Sequence, residues 1–120
     1  MQLAARVSPK PFQVSLENHG SVVVVRVQGE VDTATAPHMA QAIDAQLARR
    51  RRTVLNLSDV DFMDLHGLAV LMRASRRVRA EGGSFAVERP APCVARLFEL
   101  VRLDGEIRIL PDDTGPLEAA

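Results

Sequence analysis

Short apolar runs typical of strands alternate along this chain with stripes of helical periodicity, and this alternation constrains the fold most. The strand-type runs are residues 12–17, 22–28, 53–57, 84–88 and 106–110, and the helical stripes are residues 35–49, 66–80 and 92–101. Because single helices separate the later strands, each connection is a crossover between parallel strands. Turn residues 18–21 join the first two strands as an antiparallel hairpin. The sequence therefore predicts an α/β fold with a mixed, mostly parallel sheet, in the order β-β-α-β-α-β-α-β.

The length of 120 residues predicts a single domain. We expect residues 12–110 to form this domain, residues 1–11 to be an N-terminal extension and residues 111–120 to be a mobile, polar C-terminal tail. The longest apolar run, residues 22–25, is far too short to span a bilayer, and the N-terminus lacks the apolar segment of a signal peptide. These features predict a cytoplasmic protein without membrane insertion.

Charge and cysteine content argue against several classes of function. The 15 basic and 15 acidic residues give a formal net charge of zero, and no basic stripe with interleaved aromatic residues indicates direct contact with nucleic acid. A run of four arginines, residues 49–52, ends a predicted helix, where cations complement the negative end of the dipole. Cys93 is the single cysteine, so it cannot form an internal disulfide, and we expect it to be a small buried residue.

Motifs of catalysis and of cofactor binding are missing from the sequence. The chain has no phosphate-binding glycine loop, no dinucleotide fingerprint, no zinc-protease helix and no nucleophile elbow. Asp59, Asp61 and Asp64 crowd one segment, but that segment lacks the glycine and the bidentate glutamate of a calcium loop. The sequence predicts a protein that is not an enzyme and that holds no cofactor or metal.

A polar junction, Asp64-Leu65-His66-Gly67, leads from a strand into a helix. Backbone N–H groups and the positive end of a helix dipole meet at such a junction, so its side chains stand at a surface suited to an anion or a partner. Asp64 suits the N-cap position of the helix, which is worth about 1 kcal/mol relative to alanine. We expect the function of the protein to reside at this junction.

Four short motifs, in order along the chain, resemble those of the STAS domain family, the fold of bacterial anti-sigma factor antagonists. They are VQGEVD at 27–32, the strand and loop at 54–64, GLAVL at 67–71 and ARLF at 95–98. The resemblance covers nearly the whole chain and implies a non-enzymatic binding protein. In this family the unphosphorylated antagonist binds an anti-sigma factor, a kinase of the GHKL type, and thereby frees the sigma factor.

One position departs from the family pattern. Where the antagonists have Asp-Ser-Ser-Gly, with the second serine phosphorylated by the anti-sigma factor, this chain has Leu65 and His66 in place of the two serines. His66 occupies the phosphoacceptor position and is no substrate for a serine kinase. The resemblance therefore implies that the usual switch, in which phosphate breaks the contact by repulsion and desolvation, is lost. Three interpretations of His66 stay open: a helix-start residue that contacts solvent or a partner, a pH-dependent contact, or a phosphoacceptor in its own right.

The resemblance also indicates a partner-binding surface on two loops. Its expected members follow the second strand and open the second helix: Asp32, Thr33, Asp64, Leu65, His66, Gly67 and Leu68. We expect the outward side of that helix, with Arg73, Arg76 and Arg77, to complete the surface. Leu65 either packs locally or sits in this interface, where together with Met63 it would form a small apolar anchor.

Two functions follow from the resemblance. The first is partner switching on a kinase-like anti-sigma factor. The alternative is a STAS subunit of another assembly, such as a lipid-transport ABC complex or a stressosome scaffold. The sequence leaves room for a weak homodimer in either case.

Overall fold

The computed structural model describes residues 10–49, 51–102 and 105–112. The elements are β1 Gln13–His19, β2 Val22–Val31, α1 Ala36–Ala48, β3 Arg52–Met63, α2 Leu65–Glu81, β4 Ser84–Glu88 and α3 Pro92–Val101. The four strands form one sheet in the order β1-β2-β3-β4, in which β1 is antiparallel to β2 and the other pairs are parallel. The mixed, mostly parallel α/β fold is confirmed. Most of the expected N-terminal extension and C-terminal tail, residues 1–9 and 113–120, lies outside the described residues.

The predicted last strand, residues 106–110, is reduced to a single bridge between Val87 and Ile109. Two backbone hydrogen bonds hold it: the Val87 amide donates to the Arg108 carbonyl at 2.9 Å, and the Leu110 amide donates to the Val87 carbonyl at 2.8 Å. Ile107 and Leu110 are buried whereas Ile109 is exposed, a spacing of three that strand alternation does not produce. The segment therefore docks on β4 without extending the sheet as a full strand.

Strands β2 and β3 run further than the sequence predicted, to Val31 and Met63, which pair with each other. The predicted run ended at residue 28, but β2 continues beyond it with register shifts in its pairing to β3. Gly29 permits this, because its φ is +93° and an added Cβ would lie 2.7 Å from the Lys10 carbonyl oxygen. Since β2 and β3 are parallel neighbours, their carboxyl ends deliver the residues that follow to the same edge of the sheet.

Helices α1 and α2 contact each other and share one core with the sheet. The predicted stripe of α1, Met39, Ile43 and Leu47, is buried, and α2 contributes Leu68 and Leu71 to the same cluster. Full burial of such side chains contributes roughly 1.5–3 kcal/mol each. This core fixes the first turn of α2 on the sheet, which makes the junction before it a rigid feature. No helix in the described ranges is long and apolar enough to cross a membrane.

Helix α3 has the predicted bounds and inserts Val94 and Phe98 into the same core. Cys93, expected to be buried, is exposed. Helical spacing explains the error, because Val94 and Phe98 set the inward side of α3 and turn the preceding residue away from it. The Cys93 sulfur keeps one contact with the chain, 3.6 Å from the Val60 carbonyl oxygen.

Candidate functional site

Two loops meet at the carboxyl ends of β2 and β3. The Asp64 amide donates a hydrogen bond to the Val31 carbonyl at 3.1 Å, which fastens the end of one strand to the other. Beyond the strands, Thr33 Oγ1 lies 3.3 Å from Nδ1 of His66. The structure thus brings the loop after β2 and the first turn of α2 into direct contact.

Asp64 caps helix α2, as the sequence predicted. Its Oδ1 atom accepts hydrogen bonds from the backbone amides of His66, at 2.8 Å, and of Gly67, at 3.3 Å. Partial desolvation raises the pKa of Asp64, but hydrogen bonds from the His66 imidazole and from the two amides outweigh it and hold the pKa below the usual range. The cap is therefore an ionised carboxylate at neutral pH.

The imidazole of His66 sits between this carboxylate and the neighbouring loop. Its Nδ1 atom lies 3.3 Å from Asp64 Oδ2 as well as 3.3 Å from Thr33 Oγ1. An ionised carboxylate only accepts hydrogen bonds, so the contact with Asp64 requires the proton on Nδ1. Both contacts use the same ring nitrogen, whereas the relay of a serine hydrolase uses both. The cluster is therefore a structural bridge between two loops and lacks the geometry of a catalytic triad.

Asp32 shapes the first loop from within. Its Oδ1 accepts hydrogen bonds from the backbone amides of Ala34, at 3.0 Å, and Thr35, at 3.1 Å. The Asp32 amide donates a hydrogen bond to the Thr35 hydroxyl at 2.9 Å. The Thr35 hydroxyl in turn donates to the Glu30 carbonyl at 2.7 Å. Asp32 is only partly exposed, while Thr33 beside it is exposed. Thr33 is the polar residue that this loop, together with Ala34, exposes to a partner.

The first turn of α2 divides its residues between surface and core. Leu65 is 63% exposed, whereas Leu68 is 4% exposed and belongs to the core. Gly67 is also buried, and an added Cβ there would lie 2.7 Å from Met63 Cγ and 2.8 Å from Val31 Cγ1. Gly67 and Leu68, which were expected in the partner surface, and Met63, which was expected beside Leu65 in the apolar anchor, are buried and therefore support the surface from beneath.

The three arginines expected on the outward side of α2 differ in their contacts. Arg77 pairs with Asp44 of α1 at 3.6 Å and with Glu81 at 3.3 Å, and Arg76 lies 3.7 Å from Glu106. Arg73 is exposed and forms no ion pair with any described residue. Arg76 and Arg77 thus contact carboxylates that the sequence pattern did not reveal, and Arg73 is the one of the three without such a contact among the described residues.

A shallow groove between α1 and α2, with a volume of about 450 Å³, opens beside Thr33 and His66 and was missed in the sequence. Small side chains form much of its wall, among them Ala36, Ala40 and Ala69. The alanines four residues apart on α1 were a visible signal, but the same spacing also suits ordinary helix packing. The groove extends the two-loop site along the helices.

The other acidic residues of the segment do not join Asp64. Lys10 Nζ donates to Asp59 Oδ1 at 2.9 Å, and the Lys10 amide donates to Asp61 Oδ2 at 2.9 Å. Within residues 10–49, 51–102 and 105–112, no three His, Cys, Asp or Glu side chains converge as metal ligands do.

Comparison with known proteins connects this arrangement to one group. A family model described as "Mlab, STAS domain" matches residues 14–111. The chain is 33% identical to the anti-sigma F factor antagonist of Paenibacillus polymyxa, over 83% of this chain and 85% of that protein. It is 26% identical to the anti-sigma-B factor antagonist of Bacillus subtilis, over 89% of this chain and 98% of that protein.

The fold also resembles that of a solved anti-sigma factor antagonist. The structure matches the crystal structure of an anti-sigma factor antagonist from Mycobacterium paratuberculosis with a TM-score of 0.76 and 32% identity. That match covers 87% of this chain and 89% of the other. These matches extend over most of the chain, and the family model spans the two loops and α2.

Proposed function

This chain belongs to the STAS domain family, and on that premise we propose that it is a non-enzymatic regulator that binds a kinase-like anti-sigma factor through the two-loop site. The relatives named above are antagonists of anti-sigma factors, which supports a protein partner of that class. The partner we propose is of the GHKL kinase type, and the contact takes place in the cytoplasm.

Leu65 is the observation that carries this proposal. A large apolar side chain that is 63% exposed stands on the first turn of a helix whose cap and core are both fixed. Apolar side chains on rigid elements make strong contacts when a partner removes them from water, and they lose little freedom on binding. The exposed Thr33 and His66 flank it and supply polar contacts at its margin. Arg73, further along α2, favours a partner surface that carries carboxylates.

The missing serine gives the proposal its second part. Neither Leu65 nor His66 carries a hydroxyl, and the Thr33 hydroxyl beside them is engaged with the imidazole at 3.3 Å. A serine kinase bound here therefore finds a histidine, and no serine hydroxyl, at the phosphoacceptor position. We propose that its binding to this chain is therefore not reversed by phosphorylation at the junction.

The experiment that tests the proposal is calorimetric titration of the chain against a purified kinase-like anti-sigma factor from the same genome. We expect binding by the wild type and a loss of about tenfold or more in affinity for Leu65→Asp. Leu16→Asp is the matched control, because Leu16 is another leucine that is exposed, 47%, and it lies on β1. Unchanged binding by Leu65→Asp, or an equal loss in both variants, would place the interface elsewhere.

The alternative role, as a STAS subunit of a lipid-transport ABC complex or a stressosome scaffold, gives a different result in the same titration. The chain would then ignore the anti-sigma factor while binding a purified ABC ATPase or a second STAS protein. Weak self-association, for which the sequence left room, stays a prediction in both cases.

A further inference from the structure

A second exposed apolar surface begins next to the two-loop site, at the end of β3, and continues along the outward side of α3. We call it the α3 surface, and its residues are Phe62, Met63, Pro92, Cys93, Arg96, Leu97 and Leu100. Leu100 is 75% exposed and Phe62 is 47% exposed. Single exposed apolar residues are ordinary, but a contiguous group of them around a groove is typical of an interface.

The charges of α3 indicate what covers this surface. Arg96 is the one charged residue among the described residues that line the groove, and Glu99 follows it by three positions on the exposed side of the helix. Neither forms an ion pair with any described residue. One helix thus carries a cation and an anion side by side, each without a partner within the described part of the chain.

We propose that the α3 surface is the interface between two copies of this chain, related by a two-fold axis, with their α3 helices antiparallel. A two-fold axis brings the same surface of both copies together, so the surface must be complementary to itself. When two antiparallel α3 helices meet near their centres, Arg96 of each copy faces Glu99 of the other, which satisfies all four charges. The formal net charge of zero adds no general repulsion between the copies.

The same alignment provides a place for Leu100. It stands one turn beyond Arg96, so in this alignment it lies level with Ala95 in the first turn of the other α3 helix, about 3 Å along the axis from Cys93 of the second copy. The side chain that protrudes most from one copy thereby fills the groove of the other. A ten-residue helix is only about 15 Å long, so the contact is small and the dimer is weak.

Cysteine cross-linking tests this alignment, because the chain has one native cysteine and it lies in the proposed contact. In Leu100→Cys, the two cysteines of one helix are seven residues, or about 10.5 Å, apart, beyond the roughly 7 Å that a disulfide spans between Cα atoms. Any disulfide between them must therefore join two copies. We expect rapid formation of a covalent dimer in a glutathione redox buffer, and much slower formation for Ala45→Cys, an exposed control position on α1.

Sedimentation equilibrium of the wild type and of charge variants tests the ion pairs. We expect concentration-dependent dimerisation of the wild type, its loss in Arg96→Glu, and its return in the double variant Arg96→Glu, Glu99→Arg. All substituted residues are exposed, and circular dichroism verifies that each variant is folded. The proposal is overturned if the wild type stays monomeric at millimolar concentration, if Arg96→Glu dimerises like the wild type, or if the double variant fails to restore the dimer. It is also overturned if Arg96→Glu weakens only the binding of an anti-sigma factor, since the surface would then belong to that complex.

Discussion

The Nδ1 atom of His66 lies 3.3 Å from the Thr33 hydroxyl oxygen, so one side-chain contact joins the loop after β2 to the first turn of α2. Asp64 reinforces the contact, because its carboxylate caps the helix and also holds the imidazole. The three side chains fix the relative position of two loops that strand pairing has already brought together. They form the rigid frame on which Leu65 is exposed.

The cap at Asp64 should be visible in the stability of the domain. We expect Asp64→Ala to lower the free energy of unfolding by about 0.5–2 kcal/mol, because two backbone amides lose their acceptor. Asp64→Asn is the control, since asparagine keeps the acceptor of the cap and loses only the charge, so it should cost less than Asp64→Ala. Urea unfolding monitored by circular dichroism measures both. Equal urea midpoints for wild type and Asp64→Ala would show that the cap does not stabilise the domain.

Acid should weaken the same contact. The pKa of the Asp64 carboxyl lies below its ordinary value of 3.8 in the folded chain, mainly because hydrogen bonds to the carboxylate outweigh its desolvation. The stabilisation is therefore complete well above pH 3.8 and is lost as the pH falls through the folded pKa. We expect the stability difference between wild type and Asp64→Asn to shrink between pH 6 and about pH 3. If the difference in unfolding free energy between the two proteins stays constant over this interval, the carboxylate charge contributes nothing to stability.

Replacing Gly67 by alanine, the smallest residue with a side chain, should destabilise the domain. Glycine to alanine normally stabilises a helix, but the added methyl group here would lie 2.7 Å from Met63 Cγ and 2.8 Å from Val31 Cγ1. We expect Gly67→Ala to destabilise the domain by about 1–3 kcal/mol through overpacking. Ala69→Gly, at an exposed position of the same helix, should cost only the ordinary propensity of about 1 kcal/mol or less. A gain in melting temperature for Gly67→Ala would mean that α2 moves easily on the sheet.

The sequence predicted the bounds of an element correctly where a proline or glycine marks its end. The bounds of α3 and β4 agree with the sequence, since Pro92 and the glycines at 82 and 83 mark the turns around them. Ser58, Asp59 and Asp61 interrupt the apolar run after Leu57, and a loop was expected there, yet β3 continues to Met63 because β2 pairs with it as far as Val31. Tertiary pairing overrode propensity there.

The candidate site was predictable in its position but not in its contacts. The order of strand and helix placed Asp64 at a helix start, where its cap is confirmed. The contact between Thr33 and His66 joins residues 33 positions apart, and the pairing of Arg76 with Glu106 joins residues 30 positions apart. No periodicity encodes such contacts. The exposed position of Leu100 follows from the inward positions of Val94 and Phe98, but only once these are known to face the core.

Restoring a hydroxyl should restore part of the family switch. We expect His66→Ser, incubated with a kinase-like anti-sigma factor and ATP, to gain one phosphoryl group by intact-mass analysis. The yield should be incomplete, because Leu65 still replaces the first serine of the pattern that the family resemblance implies. Thr33→Ala in the same background controls for transfer to the neighbouring hydroxyl. A His66→Ser variant that never gains a phosphoryl group would mean that the first turn of α2 is not presented to the kinase.

The central claim is that the two-loop site binds a kinase-like anti-sigma factor without a phosphorylation switch at the junction. The most direct measurement is the affinity of the wild-type chain for that factor before and after prolonged incubation of the two with ATP, with the mass of the chain recorded at each point. We expect the same affinity at both points and an unchanged mass. No binding at either point, or a loss of affinity that accompanies the gain of a phosphoryl group on Thr33, His66 or another residue of the site, would contradict the account.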